Sequence, residues 1–355
     1  MTVTDPDALV VGPEHENRFS SGPTANFAKG LLWLLVVVLA AVSLTFILSR
    51  VIPADPARLA AGLEAGPEQV AQVRHDLGLD RPVVVQYGNY LGGLLSGDFG
   101  DSIRTRQPVI NDLLQALPAS LELIVVSFAI IAGLGILLGV IWAYWPRGLH
   151  SVLLRIVAVA GSAMPVFWVG LLLQVGLAAN IDWLPIAGSF NHRKFGVDEI
   201  TGSGLLDSLI SMDTTAITEA IRRLLLPVTT IVFHNIALTM TLMRTSMSEQ
   251  LQRPYVQAAR ARGVSEPKVV TVDALRNALN PVVTMLGLQL GWSLGGVVIV
   301  EVIFSWPGIG LYAFSAFQAF DYNAIMAVTI IATASFVLIN SLVNRIYQVL
   351  DPRIT

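Results

Sequence analysis

The chain of 355 residues is 54% hydrophobic and only 13% charged, with a formal net charge of −3. Soluble domains carry about 25% charged residues, so this composition excludes an ordinary soluble globular protein. The sequence contains no cysteine, which excludes a disulfide framework, a cysteine-ligated zinc site and an iron–sulfur cluster.

Uncharged apolar stretches long enough to cross a bilayer recur along the chain. Crossing the hydrocarbon core takes about 20 apolar residues in a helix. Because the bilayer offers no water to unpaired backbone groups, such stretches must be helical. The expected fold class is therefore an all-α membrane protein with six transmembrane helices, the third of them kinked at Pro165. The predicted spans are residues 31–48, 123–145, 156–178, 224–243, 277–300 and 322–344.

Residues 1–29 precede the first span and contain proline, glycine and an excess of acidic residues. Their charge, and the length of the apolar run that follows, exclude a cleavable signal peptide. The sequence predicts a disordered cytoplasmic tail here, followed by one transmembrane domain over residues 30–355.

The distribution of basic residues among the loops predicts the orientation. Loop 244–276 carries six basic residues against three acidic ones, and the short turn with Arg147 and Arg155 carries no acid. The long loops 49–122 and 179–223 are each net acidic. Since basic loops remain in the cytoplasm, both termini and loop 244–276 are predicted to be cytoplasmic.

The first long loop contains helical periodicity of its own. Apolar residues recur at helical spacing over 67–77, and Gly78 is a stop signal. A second amphipathic helix is predicted after Pro82. Together these helices are expected to form a small external platform that lies on the membrane or meets a soluble partner.

Polar residues inside the spans are the candidates for a transport path. Gln289 and Trp292 in the fifth span are the better candidates, although either can instead face a neighbouring helix. Glu301 closes this span, and a gating or structural pairing role is favoured over substrate binding. For His234 in the fourth span, an interhelical hydrogen bond is favoured over a substrate contact.

No catalytic motif is found in the sequence. There is no GxxxxGK[ST] phosphate loop, no HExxH and no GxSxG, and the five histidines are never at metal-ligand spacing. We therefore assign the chain no catalytic residue and no metal site. One alternative is a stand-alone secondary transporter or channel that uses His234 and Glu301 as an ion site.

The basic segment between spans four and five predicts a helix–Gly–helix elbow, residues 254–276. Pro254 fits the first turn of a short helix, and Gly263 is a natural left-handed residue after its end. Ser265 is expected to cap a second helix, which ends before Pro281 opens the fifth span.

The short first helix of the elbow has the features of a docking surface. Tyr255 offers an aromatic anchor, Ala258 and Ala259 let a partner approach the backbone, and Arg260 and Arg262 offer charge. From charge alone, a basic loop resting on anionic lipid is the favoured alternative.

After the fifth span, segment 304–310 contains Trp306, Pro307 and two glycines. It predicts a re-entrant or interfacial turn that caps a translocation path on the outer side. An aromatic residue of the membrane interface explains Trp306 almost as well.

Several motifs resemble one transporter family. Gln257-Ala258-Ala259, followed after three residues by Gly263, resembles the EAA loop through which ABC importer permeases dock on their ATPase, with Gln257 in place of the usual Glu. Other stretches resemble the B-type inner-membrane permease of dipeptide and oligopeptide importers, a family that also serves nickel and glutathione. They are GLLSGDFGDS (93–102), LPASLEL (117–123), SAMPVFWVG (162–170), LPIAG (184–188), FSWPGIG (304–310) and LDPRI (350–354).

The resemblance implies a type I ABC importer permease in the bacterial inner membrane, which carries no cofactor and is not itself an enzyme. Its expected partners are a second homologous permease, two ABC ATPase subunits that bind ATP and Mg²⁺, an extracytoplasmic substrate-binding protein and the lipid bilayer, but no nucleic acid. Which solute is carried stays open. The implied contacts with the ATPase are Tyr255, Gln257, Ala258, Ala259, Arg260, Arg262 and Gly263, and those at the outer gate or the binding protein are Asp98, Phe99, Trp306 and Pro307.

Overall fold

The computed structural model describes residues 23–51, 56–62, 64–76 and 78–350. Within these ranges the chain is helical and has no β-strand beyond an isolated bridge between Asp101 and Pro108. The helices are α1 (Pro23–Val51), α2 (Pro56–Ala61), α3 (Pro67–Asp76), α4 (Val83–Leu95), α5 (Val109–Tyr144), α6 (Leu149–Ala163), α7 (Val166–Leu173), α8 (His192–Phe195), α9 (Gly204–Ile210), α10 (Thr214–Gln250), α11 (Pro254–Ala261), α12 (Glu266–Lys268), α13 (Leu275–Ile303), α14 (Ile309–Gln318) and α15 (Tyr322–Leu350), with π-helical turns at Gln174–Ala178 and Val269–Ala274.

Four stretches of the described chain are long and apolar enough to cross a membrane, and a fifth is a bent pair. The pair joins Leu149–Ala163 to Val166–Ala178 at an angle of 112°. In the first predicted span, the part whose side chains are described, Leu32–Ile47, is a shorter apolar helix. The protein is therefore helical with four to five candidate spans, and six spans stay a prediction. The four are Val109–Tyr144, Thr214–Gln250, Glu266–Ile303 and Tyr322–Leu342.

Two prolines in predicted spans behave in opposite ways. The kink predicted at Pro165 is confirmed and is a full break, because the helix stops before Pro165, where Met164 takes an extended conformation with ψ of 128°. The proline ring disfavours the helical conformation for the residue before it. The prediction that Pro281 opens the fifth span is wrong, since Pro281 lies inside α13. Packed helices tolerate an interior proline when neighbouring groups replace the lost hydrogen bond.

The ends of the chain differ from the sequence expectation or lie beyond the description. Helix α1 begins at Pro23, so residues 23–29 are helical and not part of a disordered tail. Proline is favoured in the first turn of a helix, where its missing N–H is not needed. Residues 1–22 and most of the 350–354 motif lie outside the described residues.

The two predicted helices of the first long loop are confirmed as α3 and α4. Gly78 follows α3 with a φ of +63°, the conformation of a stop signal, while Leu77 lies outside the described residues. Helix α4 rests on α1, because the hydroxyls of Tyr87 and Ser43 are 2.6 Å apart and the Tyr87 and Phe46 ring centroids are 5.1 Å apart. A contact of this platform with a soluble partner stays a prediction.

Helix α10 is the centre of the bundle and packs against α5, α6, α7 and α13. Glycines make the closest of these contacts possible. A Cβ at Gly139 of α5 would lie 2.5 Å from the Cβ of Met243, and one at Gly161 of α6 would lie 2.5 Å from the carbonyl oxygen of Phe233. Small residues therefore set the spacing of helices α5, α6 and α10.

Candidate functional site

The elbow region begins with the predicted short helix and left-handed glycine. Pro254 is in the first turn of α11, and Gly263 follows its end with a φ of +79°. Nothing lies within 4 Å of a Cβ built on Gly263, so this position needs glycine for its backbone conformation and not for space. Its role in coupling stays a prediction.

The second limb of the elbow differs from the prediction. Ser265 precedes α12, but its side chain makes no capping hydrogen bond. The limb also does not stop near Arg276. Helix α12 continues through the π-helical turn Val269–Ala274 directly into α13. No glycine interrupts this segment, so nothing ends the helix before the membrane span begins.

The inner face of α11 is buried in the bundle, next to the π-helical turn Val269–Ala274 that leads into α13. Val256 and Ala259, three residues apart and on one side of the helix, are 0% and 2% exposed. The expectation that Ala259 faces a partner is therefore wrong, because the chain itself covers this side. Their cluster contains Ala143, Met243, Met247, Val256, Ala259, Val269, Ala274, Ala278 and Val282.

Polar contacts fix the same helix at its ends. The Tyr255 hydroxyl donates to Oε1 of Gln250 at 2.8 Å and accepts from Nδ2 of Asn277 in α13 at 3.0 Å. The Arg260 guanidinium donates to both carboxylate oxygens of Glu266, at 2.7 and 3.1 Å. This hydrogen bonding to Glu266 raises the pKa of Arg260 above its ordinary value. Arg260 therefore links α11 to α12 within the chain.

What remains exposed on α11 is a narrow surface. Ala258 faces outward, one residue away from the buried Ala259, because successive helical residues point about 100° apart. Tyr255 is 39% exposed despite its hydrogen bonds. This surface, which we call the outer face of α11, consists of Tyr255, Gln257, Ala258 and Arg262.

Gln289 and Trp292 line one cleft of about 410 Å³. The Gln289 amide accepts from the hydroxyl of Thr239 at 3.3 Å and donates to the carbonyl oxygen of Asn235 at 3.5 Å. Trp292 is 70% exposed, and its ring lies edge-on to Phe336. The cleft is mainly apolar, with a few polar groups from α10 and α13, as small-molecule sites commonly are. Its other lining residues include Ile124, Phe128, Val166, Ile231, Asn235, Met285 and Ser293.

His234 does not line this cleft. The His234 side chain is exposed on α10. The neighbouring Asn235 lines the cleft instead. Within the described chain, no hydrogen bond or ion pair joins His234 to Glu301. The arrangement needed for a shared ion site is therefore missing from the described residues.

Glu301 is a helix cap and lies outside the cleft. Its side chain is 0% exposed, and its carboxylate accepts from the backbone N–H groups of Gly310 and Leu311 at 2.7 and 3.0 Å. The Ser120 hydroxyl donates to it at 2.6 Å. Carboxylates stabilise the first turn of a helix by accepting from its free N–H groups. Glu301 therefore ties α14 to α5, in line with a structural pairing role.

The segment after α13 is also built into the interior. Trp306 is 1% exposed, and its indole N–H donates to the carbonyl oxygen of Ala119 at 2.9 Å. It is neither an aromatic residue of the interface nor an accessible partner contact. Pro307 next to it is exposed.

The two predicted contacts in segment 93–102 differ in exposure. Asp98 is exposed and accepts from the N–H of Gly100, while Phe99 is half-buried against α5 and α14.

A larger polar cavity of about 850 Å³ lies between α5, α14 and the 189–204 segment. Glu122 at its wall is buried and accepts from the N–H of Leu205 at 2.6 Å. Burial raises the pKa of Tyr312, so its hydroxyl stays protonated and donates to Asp112 at 3.1 Å. The sequence reasoning missed this cavity, although the motif LPASLEL contains Ala119 and Glu122 of its wall.

Comparison with known proteins agrees with the helical bundle. Residues 135–355 match the family described as the binding-protein-dependent transport system inner membrane component, and residues 27–124 match its N-terminal membrane component. A probable D,D-dipeptide transport system permease of Escherichia coli K12 is 38% identical over 91% of this chain and 95% of its own. A di/tripeptide transport system permease of Pseudomonas aeruginosa is 37% identical over 93% and 98%. A glutathione transport system permease of Pectobacterium atrosepticum is 34% identical over 92% and 98%.

Proposed function

Because the chain belongs to the family of binding-protein-dependent transport system inner membrane components, we propose that it is the permease subunit of an ABC importer for di- or oligopeptides. The relatives named for dipeptides, di/tripeptides and glutathione support this substrate class, since all of these solutes contain amide-linked amino acids. As a family member, the chain is a multi-pass protein of the inner membrane.

A second, similar permease completes the path in this proposal. The support is the cleft lined by α5, α7, α10 and α13, which has exposed residues at its edge. Trp292 at its edge is 70% exposed, and Leu288 one turn earlier is 45% exposed. A path for a polar solute needs walls on all sides, so this chain supplies half of it.

The outer face of α11 is the proposed docking surface for an ATPase subunit. One observation carries this proposal: α11 is fixed to the base of α13, and α13 carries both Gln289 and Trp292. Val256 and Ala259 share a buried cluster with Ala278 and Val282 of α13, and Nδ2 of Asn277 in α13 donates to the Tyr255 hydroxyl. Residue 289 lies about 20 Å along the helix from residue 275, at 1.5 Å per residue. A displacement of α11 by ATP-driven closure would thus tilt the cleft wall.

The proposal includes six spans with both termini cytoplasmic. Helix α1 is the first span and the bent pair of α6 and α7 the third. The elbow faces the cytoplasm, where its excess of basic residues favours it. An extracytoplasmic binding protein delivers the solute on the side of α3, α4 and α14.

Co-purification and uptake test the proposal. Ala258→Asp places a charge on the exposed docking surface without disturbing the interior, because this alanine faces outward. We expect the variant to reach the membrane but to lose its ATPases and peptide uptake. Ala179→Asp, at another exposed alanine directly after the π-helical turn Gln174–Ala178, is the matched control and should retain both. Uptake by the chain without any ATPase would support the secondary transporter instead.

A further inference from the structure

The ends of α5, α6 and α10 form a corner beside the elbow. Trp142 at this corner is 3% exposed, and its indole N–H donates to the Ser151 hydroxyl at 3.0 Å. Ser151 in turn donates to the carbonyl oxygen of Pro146 at 2.9 Å, which fixes the turn between α5 and α6. The guanidinium of Arg244, from α10, lies 4.4 Å above the Trp142 ring. The corner therefore holds an arginine in a defined orientation.

Arg244 differs from the other arginines of the described chain in having a buried guanidinium nitrogen without a hydrogen-bond partner. Its Nε is buried and has no hydrogen-bond partner, and no carboxylate in the described residues lies within ion-pair distance. Arg222, Arg223, Arg253 and Arg260, in contrast, are each paired with a glutamate. A partly buried charge without a counter-ion is costly. Binding of an external anion next to Arg244 is therefore favourable.

The surroundings of the corner add positive charge and no acid. Arg147 lies in the turn that Ser151 fixes, and Arg155 lies one helical turn after Ser151. Both are exposed, and segment 145–155 contains no acidic residue. Arg244 is therefore stacked on Trp142, and the exposed Arg147 and Arg155 lie in the adjoining turn and in the first part of α6.

Helix α6 presents an apolar surface directly next to these charges. Five large aliphatic side chains of α6 are exposed, and Trp145 before it is 55% exposed, as is common at a membrane interface. The combination of cationic corner and apolar strip matches the two parts of a phospholipid. The strip consists of Leu149, Val152, Leu153, Ile156 and Val159, which are 52–75% exposed.

We propose that this corner binds the phosphate of an anionic phospholipid, with its acyl chains along α6. Stacking on Trp142 leaves the edge of the Arg244 guanidinium available for two parallel hydrogen bonds to phosphate oxygens. Arg147 and Arg155 provide the preference for a net anionic headgroup. The bound lipid joins α5, α6 and α10 next to the elbow. The proposal is independent of the transported solute and of the ATPase contact.

Native mass spectrometry of the full transport complex in mild detergent tests the site. The probes are phosphatidylglycerol, phosphatidylcholine and inorganic phosphate. We expect phosphatidylglycerol to bind at least tenfold more tightly than phosphatidylcholine, and millimolar phosphate not to displace it. Arg244→Gln should weaken binding about tenfold, the effect of one charge-assisted hydrogen bond. Arg276→Gln, at an exposed arginine of the same end, is the matched control and should bind like the wild type.

A second variant covers the case in which Arg244→Gln folds poorly. Arg147→Gln with Arg155→Gln changes only exposed side chains and should reduce the preference for phosphatidylglycerol over phosphatidylcholine several-fold. Equal binding of the two lipids, or equal loss in Arg276→Gln, would overturn the proposal. Displacement by free phosphate would indicate a simple anion site. Lipid binding that appears only after the ATPases are removed would identify the occupant as an acidic side chain of the ATPase.

Discussion

The two ends of α13 are built in opposite ways. At the carboxyl end, Glu301 and Trp306 are almost fully buried, and their polar atoms are hydrogen-bonded to α5 and α14. At the amino end, α11 buries one face beside the π-helical turn that leads into α13 and leaves Ala258 and Arg262 exposed. The carboxyl end is therefore a fixed joint within the chain, whereas the amino end has a surface that a second protein can reach.

The largest expected effect is at the joint formed at the carboxyl end of α13. Glu301→Ala leaves the N–H groups of Gly310 and Leu311 and the hydroxyl of Ser120 without their acceptor. Each unsatisfied buried group costs about 1–3 kcal/mol, so we expect a loss of roughly 3 kcal/mol or more and little folded protein. Thermal stability in detergent and the membrane level measure it. Glu199→Ala, at an exposed glutamate, is the control. A stability of Glu301→Ala equal to that of this control would contradict the cap.

A smaller effect on stability, but a strong one on coupling, is expected at Gly263. Gly263→Val forces a β-branched residue into a left-handed conformation, which costs about 1–2 kcal/mol. The angle between α11 and α12 should change, so that ATP hydrolysis continues while uptake falls. Gly92→Val is the matched control, because Gly92 also has open space around it but an ordinary φ. If both variants transport equally well, the left-handed turn has no role in coupling.

The smallest effect is expected for the exposed ion pair between Arg260 and Glu266 in the elbow. Arg260→Gln removes the ion pair with Glu266, and exposed pairs contribute little to stability. We expect an unchanged melting temperature and at most a few-fold loss of uptake. The charge-reversed pair Arg260→Glu with Glu266→Arg should restore uptake. An Arg260→Gln variant that releases the ATPases completely would show that Arg260 touches the partner directly.

The sequence predicts the features that depend on local chemistry. Gly263, Gly78 and the helix that begins at Pro254 follow from the conformational preferences of glycine and proline, which require no knowledge of the neighbours. The long apolar helices follow from their composition in the same way. These features are present close to the predicted positions. The exception is the second limb of the elbow, which continues into α13 because no glycine ends the helix.

The features that the sequence did not predict depend on distant partners. Glu301 is a cap because Ser120 and Gly310 meet it, and 181 positions of sequence separate it from Ser120. Whether Ala258 or Ala259 faces outward depends on which side of α11 the rest of the bundle covers. Likewise, Asn235 and not His234 reaches the cleft because of the rotation of α10 in the bundle. The spacing of residues along one helix does not show which distant residues pack against it.

The absence of native cysteine allows one direct test of the docking surface. Single cysteines at Ala258 and Ala259 are adjacent in sequence, but only Ala258 is exposed, whereas Ala259 is 2% exposed. The measurement is cross-linking of each variant to its ATPase subunit by a short bifunctional thiol reagent in native membranes, with cysteines introduced in the ATPase. We predict cross-links from Ala258→Cys and none from Ala259→Cys. No cross-link from either position, or equal cross-linking from both, would contradict the assignment of the outer face of α11 to the ATPase.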